Sequence, residues 1–308
     1  MLGSPATLNP PRQVIGIQPK PRQYYAQRHG RGPKAGPLAL ETVKRLLLNE
    51  IVALESDGFF QEAFGNVCID DGYVAGTVGN DIDAFFLRAI MREGVWPVEA
   101  HIADYDADTL FDVLEVLHDV VSEPTEGHYH GYGDCGMHYS VFDRPAGQAR
   151  YCELINEVLQ LSDPGYELDD QGRVMELAPA EFRTLLQAPV PAGTEHDLIT
   201  RRIDAAVTRF RTRGASPDDR RHAVRDLADV LEALRPDIKE HMLTADEKAL
   251  FHVANGFAIR HNSRQQRGDY ARLVWLRWAF YVYLATIHAV LRVRKTQSEA
   301  ATAEQPGG

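Results

Sequence analysis

Apolar residues recur at helical spacing through most of this chain, and this periodicity constrains the fold more than any other feature. Leu40, Val43, Leu47, Ile51 and Leu54, for example, follow one another at intervals of three or four residues, which places them on one face of an α-helix. The same spacing predicts helices over residues 38–57, 81–93, 107–121, 145–161, 179–187, 197–213, 218–234, 245–259 and 270–295. We therefore expect a mainly α fold.

Two segments lack the helical pattern. Residues 166–177 consist of two short alternating pieces separated by a turn-forming Asp-Asp-Gln-Gly sequence, and this predicts a small β-hairpin. Residues 122–147 are rich in Gly, His and Tyr and have no regular apolar pattern. We expect a long structured loop in this second segment.

The distribution of charge divides the chain into three parts. Residues 1–35 carry a net charge of +6, residues 36–195 carry −22 and residues 196–308 carry +5, which together give the overall charge of −11. A Pro/Gly-rich stretch at the second change of sign is typical of a linker. We predict the following organisation: a flexible basic arm (1–37), an acidic helical domain with the hairpin (38–188), a linker (189–195), an antiparallel four-helix bundle (196–296) and a disordered tail (297–308).

Composition narrows the class of protein and its location. The overall charge of −11 argues against a generally basic nucleic-acid coat protein. The three cysteines fit no disulfide framework, and no export signal is recognisable, so we expect a cytoplasmic protein. The most apolar stretch is interrupted by Arg277, His288 and Arg292. We interpret it as a buried helix and expect no membrane association.

The first candidate site is a run of metal-ligating residues in the segment 127–139. His128, His130, Cys135 and His138 offer imidazole and thiolate groups within a short stretch, and the Cys-x-x-His spacing is that of a metal knuckle. Such a loop would gain order from bound zinc. The alternative is a loop held by hydrogen bonds of its tyrosines and histidines, without metal. Zinc sites usually draw a second pair of ligands from a separate element.

The second candidate site is the triplet Arg260-His261-Asn262, where the predicted helix 245–259 gives way to a polar loop. An arginine can hold a phosphate with a fixed fork of donors, and a neighbouring histidine can accept the proton of a 2′-hydroxyl. These residues would cleave RNA without a metal by stabilising charge on the phosphate in the transition state. The alternative is structural, because basic residues also favour helix C-termini.

The arrangement of the last third of the chain resembles the HEPN domains of bacterial toxin and abortive-infection proteins. The resemblance covers residues 195–295, with the polar Arg/His/Asn segment ahead of a long final helix. The family signature is an Arg, a polar residue and then a His four to six residues further on. Arg260 and His261 match its first half, whereas residues 265–267 are Gln, Gln and Arg.

The resemblance implies a phage-defence or stress protein. It would bind or cleave RNA through Arg260, His261 and Asn262 as a metal-independent endoribonuclease and would pair as a homodimer, with the N-terminal domain as sensor or restraint. The competing hypothesis is a non-enzymatic helical interaction or assembly protein with a zinc-stabilised loop. In either case a strongly acidic N-terminal domain favours a protein partner over nucleic acid.

Overall fold

The computed structural model describes residues 24–31, 36–188, 196–242, 244–256 and 272–303. The chain divides into two compact units, Met1–Pro37 and Leu38–Gly308. In the first unit, the described residues form one short helix, α1 (Tyr25–Arg28). The Tyr25 ring lies 4.3 Å from the ring of His29, and the Arg31 guanidinium lies over the same tyrosine.

Residues 38–188 are mostly helical, as predicted. Asp81 and Asp106 begin two of these helices, and each side chain accepts a hydrogen bond from the backbone N–H three residues later, which is ordinary N-terminal capping. Asp143 does the same for the helix that carries Pro145 in its first turn. The helices are α2 (Leu40–Ser56), α3 (Gln61–Phe64), α4 (Ile82–Ile90), α5 (Val98–His101), α6 (Ala107–Val120), α7 (Arg144–Leu159) and α8 (Ala180–Gln187).

Six strands form three separate two-stranded antiparallel sheets in the described residues. They are β1 (Asn66–Cys68) with β2 (Gly72–Val74), β3 (Glu123–His130) with β4 (Gly136–Asp143), and β5 (Tyr166–Leu168) with β6 (Val174–Glu176). The β5–β6 pair is the predicted hairpin, and the mainly α fold with a small hairpin is confirmed. The expectation of a loop over 122–147 is wrong, because β3 and β4 occupy most of it.

The first hydrophobic core draws its buried residues from 43–174. Helices α2, α6 and α7 supply its centre, with Leu47, Leu114 and Ile155 fully buried. None of the described residues 123–143 is among the buried residues of this core. The β3–β4 hairpin therefore lies on the helical body and contributes nothing to its interior.

The C-terminal part contains five helices in its described residues, where four were predicted. They are α9 (His196–Arg211), α10 (Pro217–Ala233), α11 (Arg235–His241), α12 (Thr244–Gly256) and α13 (Arg272–Ala303). Ser216 caps α10 in a reciprocal pair with Asp219. The additional helix is α11, which carries Pro236 in its first turn. Helix α13 continues to Ala303, so part of the predicted disordered tail is helical.

The second core is formed by buried residues of α9, α10, α11, α12 and α13, and partly buried residues of α8 pack against it. Phe182 of α8 stacks on Tyr281 of α13 with ring centroids 4.0 Å apart. Leu185 and Leu186 pack against the same core. By its packing, α8 therefore belongs with the C-terminal helices, although it precedes the predicted linker 189–195, which lies outside the described residues.

Helix α13 contains the stretch that most resembles a membrane span. Residues Leu273–Gln297 are long enough to cross a membrane, and a window of 18 residues within them is apolar enough to do so. Half of that window is buried inside the protein, where Phe280, Tyr283 and Ile287 are fully buried. Core helices of soluble proteins can have the same length and composition.

Ion pairs join the acidic and basic parts of the chain. Arg211, at the end of α9, pairs with Glu167 of β5 and donates a hydrogen bond of 3.1 Å to the carbonyl oxygen of Glu176. The carboxylate of Glu176 in turn lies 2.7 Å from Arg220 of α10. Arg211 is 7% exposed, so this pair is shielded from water and from salt.

We expect the substitution Arg211→Ala to lower the free energy of unfolding by about 3 kcal/mol, because it removes one partner of a buried ion pair. Urea denaturation would measure the change. Arg209→Ala is the matched control on the same helix: its pair with Asp226 is exposed, and its loss should cost less than about 1 kcal/mol. Equal losses of stability for the two variants would contradict the proposal that the buried Arg211–Glu167 pair stabilises the fold more than an exposed pair does.

Candidate metal centre

Four potential metal ligands converge between two hairpins. The ligand atoms of Cys68, His130, Cys135 and His138 all lie within 4.8 Å of one another. Three of them belong to the predicted set, and Cys68 replaces His128. Two thiolates and two imidazoles in this space could hold a metal ion.

The β3–β4 hairpin brings three of the ligands together. His128 pairs with His138 across the two strands, and His130 pairs with Gly136 next to the turn. Side chains directly opposite each other lie on the same face of the sheet, and so do side chains two residues apart in one strand. His130 therefore points to the same face as His138. Cys135 lies in the turn itself, and Gly136 after it has a φ of +93°, a conformation that favours glycine.

Cys68 comes from the end of β1, on the other hairpin. It is 3% exposed, and the thiol of Cys135 donates to the carbonyl oxygen of its neighbour Val67 at 3.6 Å. The tips of the two hairpins touch, since a Cβ atom built on Gly133 would lie 2.3 Å from Cδ1 of Ile69. Contacts between the two hairpin tips therefore fix the position of Cys68, the potential ligand that the β1–β2 hairpin supplies.

The distances pair each sulfur with one imidazole nitrogen. Sγ of Cys68 lies 3.7 Å from Nδ1 of His130, and Sγ of Cys135 lies 3.1 Å from Nε2 of His138. The rings of His130 and His138 are nearly perpendicular, with centroids 5.5 Å apart. The two hairpins thus contribute two nitrogen and two sulfur atoms that face a common space.

A carboxylate lies behind one of the imidazoles. With Nδ1 of His130 facing Cys68, its Nε2 lies 3.3 Å from Oδ2 of Asp70. A proton on Nε2 would be held by this carboxylate, which leaves Nδ1 free to donate its electron pair. Metal-ligating histidines usually have such a partner, which fixes both the tautomer and the orientation of the ring.

Helix α3 fixes the strand that carries His138. Nε2 of Gln61 donates to the carbonyl oxygen of Met137 at 3.1 Å, and Oε1 of Gln61 accepts from the backbone N–H of Tyr139 at 2.6 Å. One glutamine side chain thus pairs with β4 much as a neighbouring strand would. Since these two contacts flank His138, the backbone of that ligand is held on both sides.

His128 lies beside the group without belonging to it. Its ring centroid is 5.3 Å from that of His138, and its side chain is exposed. It stands two residues further from the hairpin turn than His130, away from the tip where Cys68 contributes. The assignment of His128 as a ligand is therefore replaced by Cys68.

Sequence reasoning missed Cys68 because it is 62 residues before His130 and no spacing motif joins them. The signal that could have found Cys68 is the general rule that zinc sites draw a second pair of ligands from a separate element of the fold. A further local signal is the turn-forming sequence Asp70-Asp71-Gly72, which begins two residues after Cys68 and places it near a hairpin tip. Cys152, the third cysteine, lies on α7 with its thiol 3.9 Å from the carbonyl oxygen of Asp169, and burial raises its pKa to about 11.

The second candidate site lies outside the described residues. Arg260, His261 and Asn262 fall between α12, which ends at Gly256, and α13, which begins at Arg272. Their roles stay as the sequence predicts them.

We expect Asp70→Asn to weaken metal binding by about 10- to 100-fold, because the amide holds the Nε2 proton of His130 less strongly than the carboxylate does. Competition with a chromophoric chelator, using Co²⁺ as a spectroscopic probe, would measure the affinity. Asp71→Asn makes the same change of charge at the next, exposed residue and should leave the affinity within about twofold of the starting protein. Equal weakening by both variants would assign the effect to net charge.

Comparisons with known proteins give no independent indication of function. No protein-family model matches the chain, and neither does any curated protein or solved structure.

Proposed function

We propose that this protein binds one Zn²⁺ through Cys68, His130, Cys135 and His138. The observation that carries the proposal is the convergence of the four ligand atoms within 4.8 Å. Two sulfur and two nitrogen ligands suit zinc, with bonds of about 2.3 Å and about 2.0 Å. In a tetrahedron these bonds separate sulfur from nitrogen by about 3.6 Å, close to the 3.7 Å between Cys68 and His130.

The proposed centre is structural. Four protein ligands complete a tetrahedral zinc site and leave no position for water or substrate. The β1–β2 hairpin has strands of only three residues, and isolated two-stranded hairpins are marginally stable in water. Zinc would cross-link this hairpin to β3–β4, so its binding energy would stabilise the fold of this region.

The fixed hairpins favour a role in interaction or assembly. Val67, Ile69, Tyr129 and Tyr132 lie within two residues of a proposed ligand along the chain and are 53% to 73% exposed. Large exposed apolar and aromatic side chains are typical of interaction surfaces. They belong to the acidic part of the chain, with its charge of −22, which favours a protein partner with a basic surface.

We expect the purified chain to contain about one zinc ion per molecule, and Cys68→Ser or His138→Ala to reduce this content by about tenfold or more, because three ligands hold zinc less tightly than four. Inductively coupled plasma mass spectrometry would measure zinc and compare it with other metals. The matched control is His128→Ala, which removes a neighbouring imidazole outside the group and should retain zinc. Zinc-free protein of full stability would reject the proposal.

A second candidate function is RNA binding or cleavage by the C-terminal helices, as the HEPN resemblance implies. The observation that favours it is the position of Arg260, His261 and Asn262 between α12 and α13, in a part of the chain that carries a net charge of +5. This proposal does not compete with the zinc centre, since the two use different parts of the chain.

We expect the double substitution Arg260→Ala/His261→Ala to lower RNA affinity by about tenfold or more and to abolish any cleavage that persists in EDTA, because it removes a phosphate donor and the general base. Fluorescence anisotropy and gel assays would measure both. Lys248→Ala on α12 removes one exposed charge and controls for non-specific attraction. Unchanged binding and cleavage in the double variant would reject the RNA hypothesis.

A further inference from the structure

The proposed centre contains two of the three cysteines of the chain. Cys68 and Cys135 lie on different hairpins, 67 residues apart in sequence, and their sulfur atoms are within 4.8 Å of each other. Two thiolates on one tetrahedral zinc ion lie about 3.8 Å apart, so a shared metal site holds its two sulfur atoms close together. In the absence of a metal the two thiols are therefore close enough to react with each other after oxidation.

We infer that Cys68 and Cys135 form an oxidation site, at which a peroxide converts the two thiols into a disulfide and releases the zinc. This inference rests on the proposed zinc site for the release of metal. The formation of the disulfide rests only on the position of the two thiols. The oxidant is hydrogen peroxide.

The backbone around Cys135 allows the approach that the bond requires. The sulfur atoms have to move from at most 4.8 Å to a covalent distance of about 2.05 Å. Cys135 lies in the β3–β4 turn between Gly133 and Gly136, both with positive φ. A turn with glycines on both sides adjusts its backbone more readily than a strand does.

Exposure decides the order of the two steps. Cys135 is partly exposed, whereas Cys68 is 3% exposed. The thiolate of Cys135 therefore attacks the peroxide first, breaks its O–O bond and forms a sulfenic acid, while the other oxygen leaves as water after protonation. The thiol of Cys68 then attacks that sulfur and expels a second water. Two thiols are oxidised to one disulfide, and one peroxide is reduced to two waters.

The third cysteine provides an internal control. Cys152 lies on α7, outside the ligand group. Burial, followed by the charges of Asp170 and Asp169, raises the pKa of its thiol to about 11, so little thiolate is present at neutral pH. Oxidation should therefore select one pair of cysteines out of three.

The first experiment treats zinc-loaded protein with excess hydrogen peroxide and follows released zinc with a chromophoric chelator. We expect about one zinc ion per chain to be released as the protein loses about 2 Da, with peptide mapping placing the disulfide between Cys68 and Cys135. Cys152→Ser should behave in the same way. Retention of zinc with intact thiols, or release of zinc without this disulfide, would overturn the inference.

The second experiment tests the order of the steps in metal-stripped protein with dimedone, which labels sulfenic acids. Cys68→Ser should accumulate labelled Cys135, because the resolving thiol is absent. Cys135→Ser should leave Cys68 unlabelled, and labelling of Cys68 there would overturn the assigned order. The failure of the zinc proposal is distinguishable: protein that never holds zinc rejects that proposal, whereas the disulfide is still measured in the stripped protein.

Discussion

The convergence of four side chains between two hairpin tips joins two hairpins that have little hydrophobic burial of their own. The β1–β2 strands have three residues each, and the described residues 123–143 contribute none of the buried core residues. Neither hairpin can therefore be positioned by hydrophobic burial, which orients the helices. What fixes them is local: the Cys/His group and the pairing of Gln61 with β4, which are polar, and the apolar contact of Ile69 with Gly133.

Some charges of the acidic part of the chain (residues 36–195) form ion pairs with charges of the basic part (residues 196–308). Glu167 and Glu176 of the β5–β6 hairpin meet Arg211 and Arg220 of the C-terminal helices. These pairs neutralise little of the −22 carried by residues 36–195, so most of that charge faces solvent and repels polyanions. The charge pattern thus contributes to the contact between the β5–β6 hairpin and the C-terminal helices.

The helices were predictable because their signals are local. Apolar periodicity and the caps at Asp81 and Ser216 act within a few residues. The β3–β4 hairpin was not predictable in the same way, since neither of its faces is buried enough to produce alternation. Cys68 could not be assigned from spacing, because only the tertiary contact of two hairpins brings it to His130.

The separation of the proposed metal centre from the hydrophobic cores limits what loss of a metal would do to the fold. Leu47, Leu114 and Ile155 are fully buried in a core that has no buried member between residues 123 and 143, so the helical body would retain its driving force for folding if zinc left. A disulfide between Cys68 and Cys135 would join the same two hairpins that zinc joins, while it releases His130 and His138. Oxidation would thus exchange one cross-link for another and change the exposed hairpin surface, with the helices left intact.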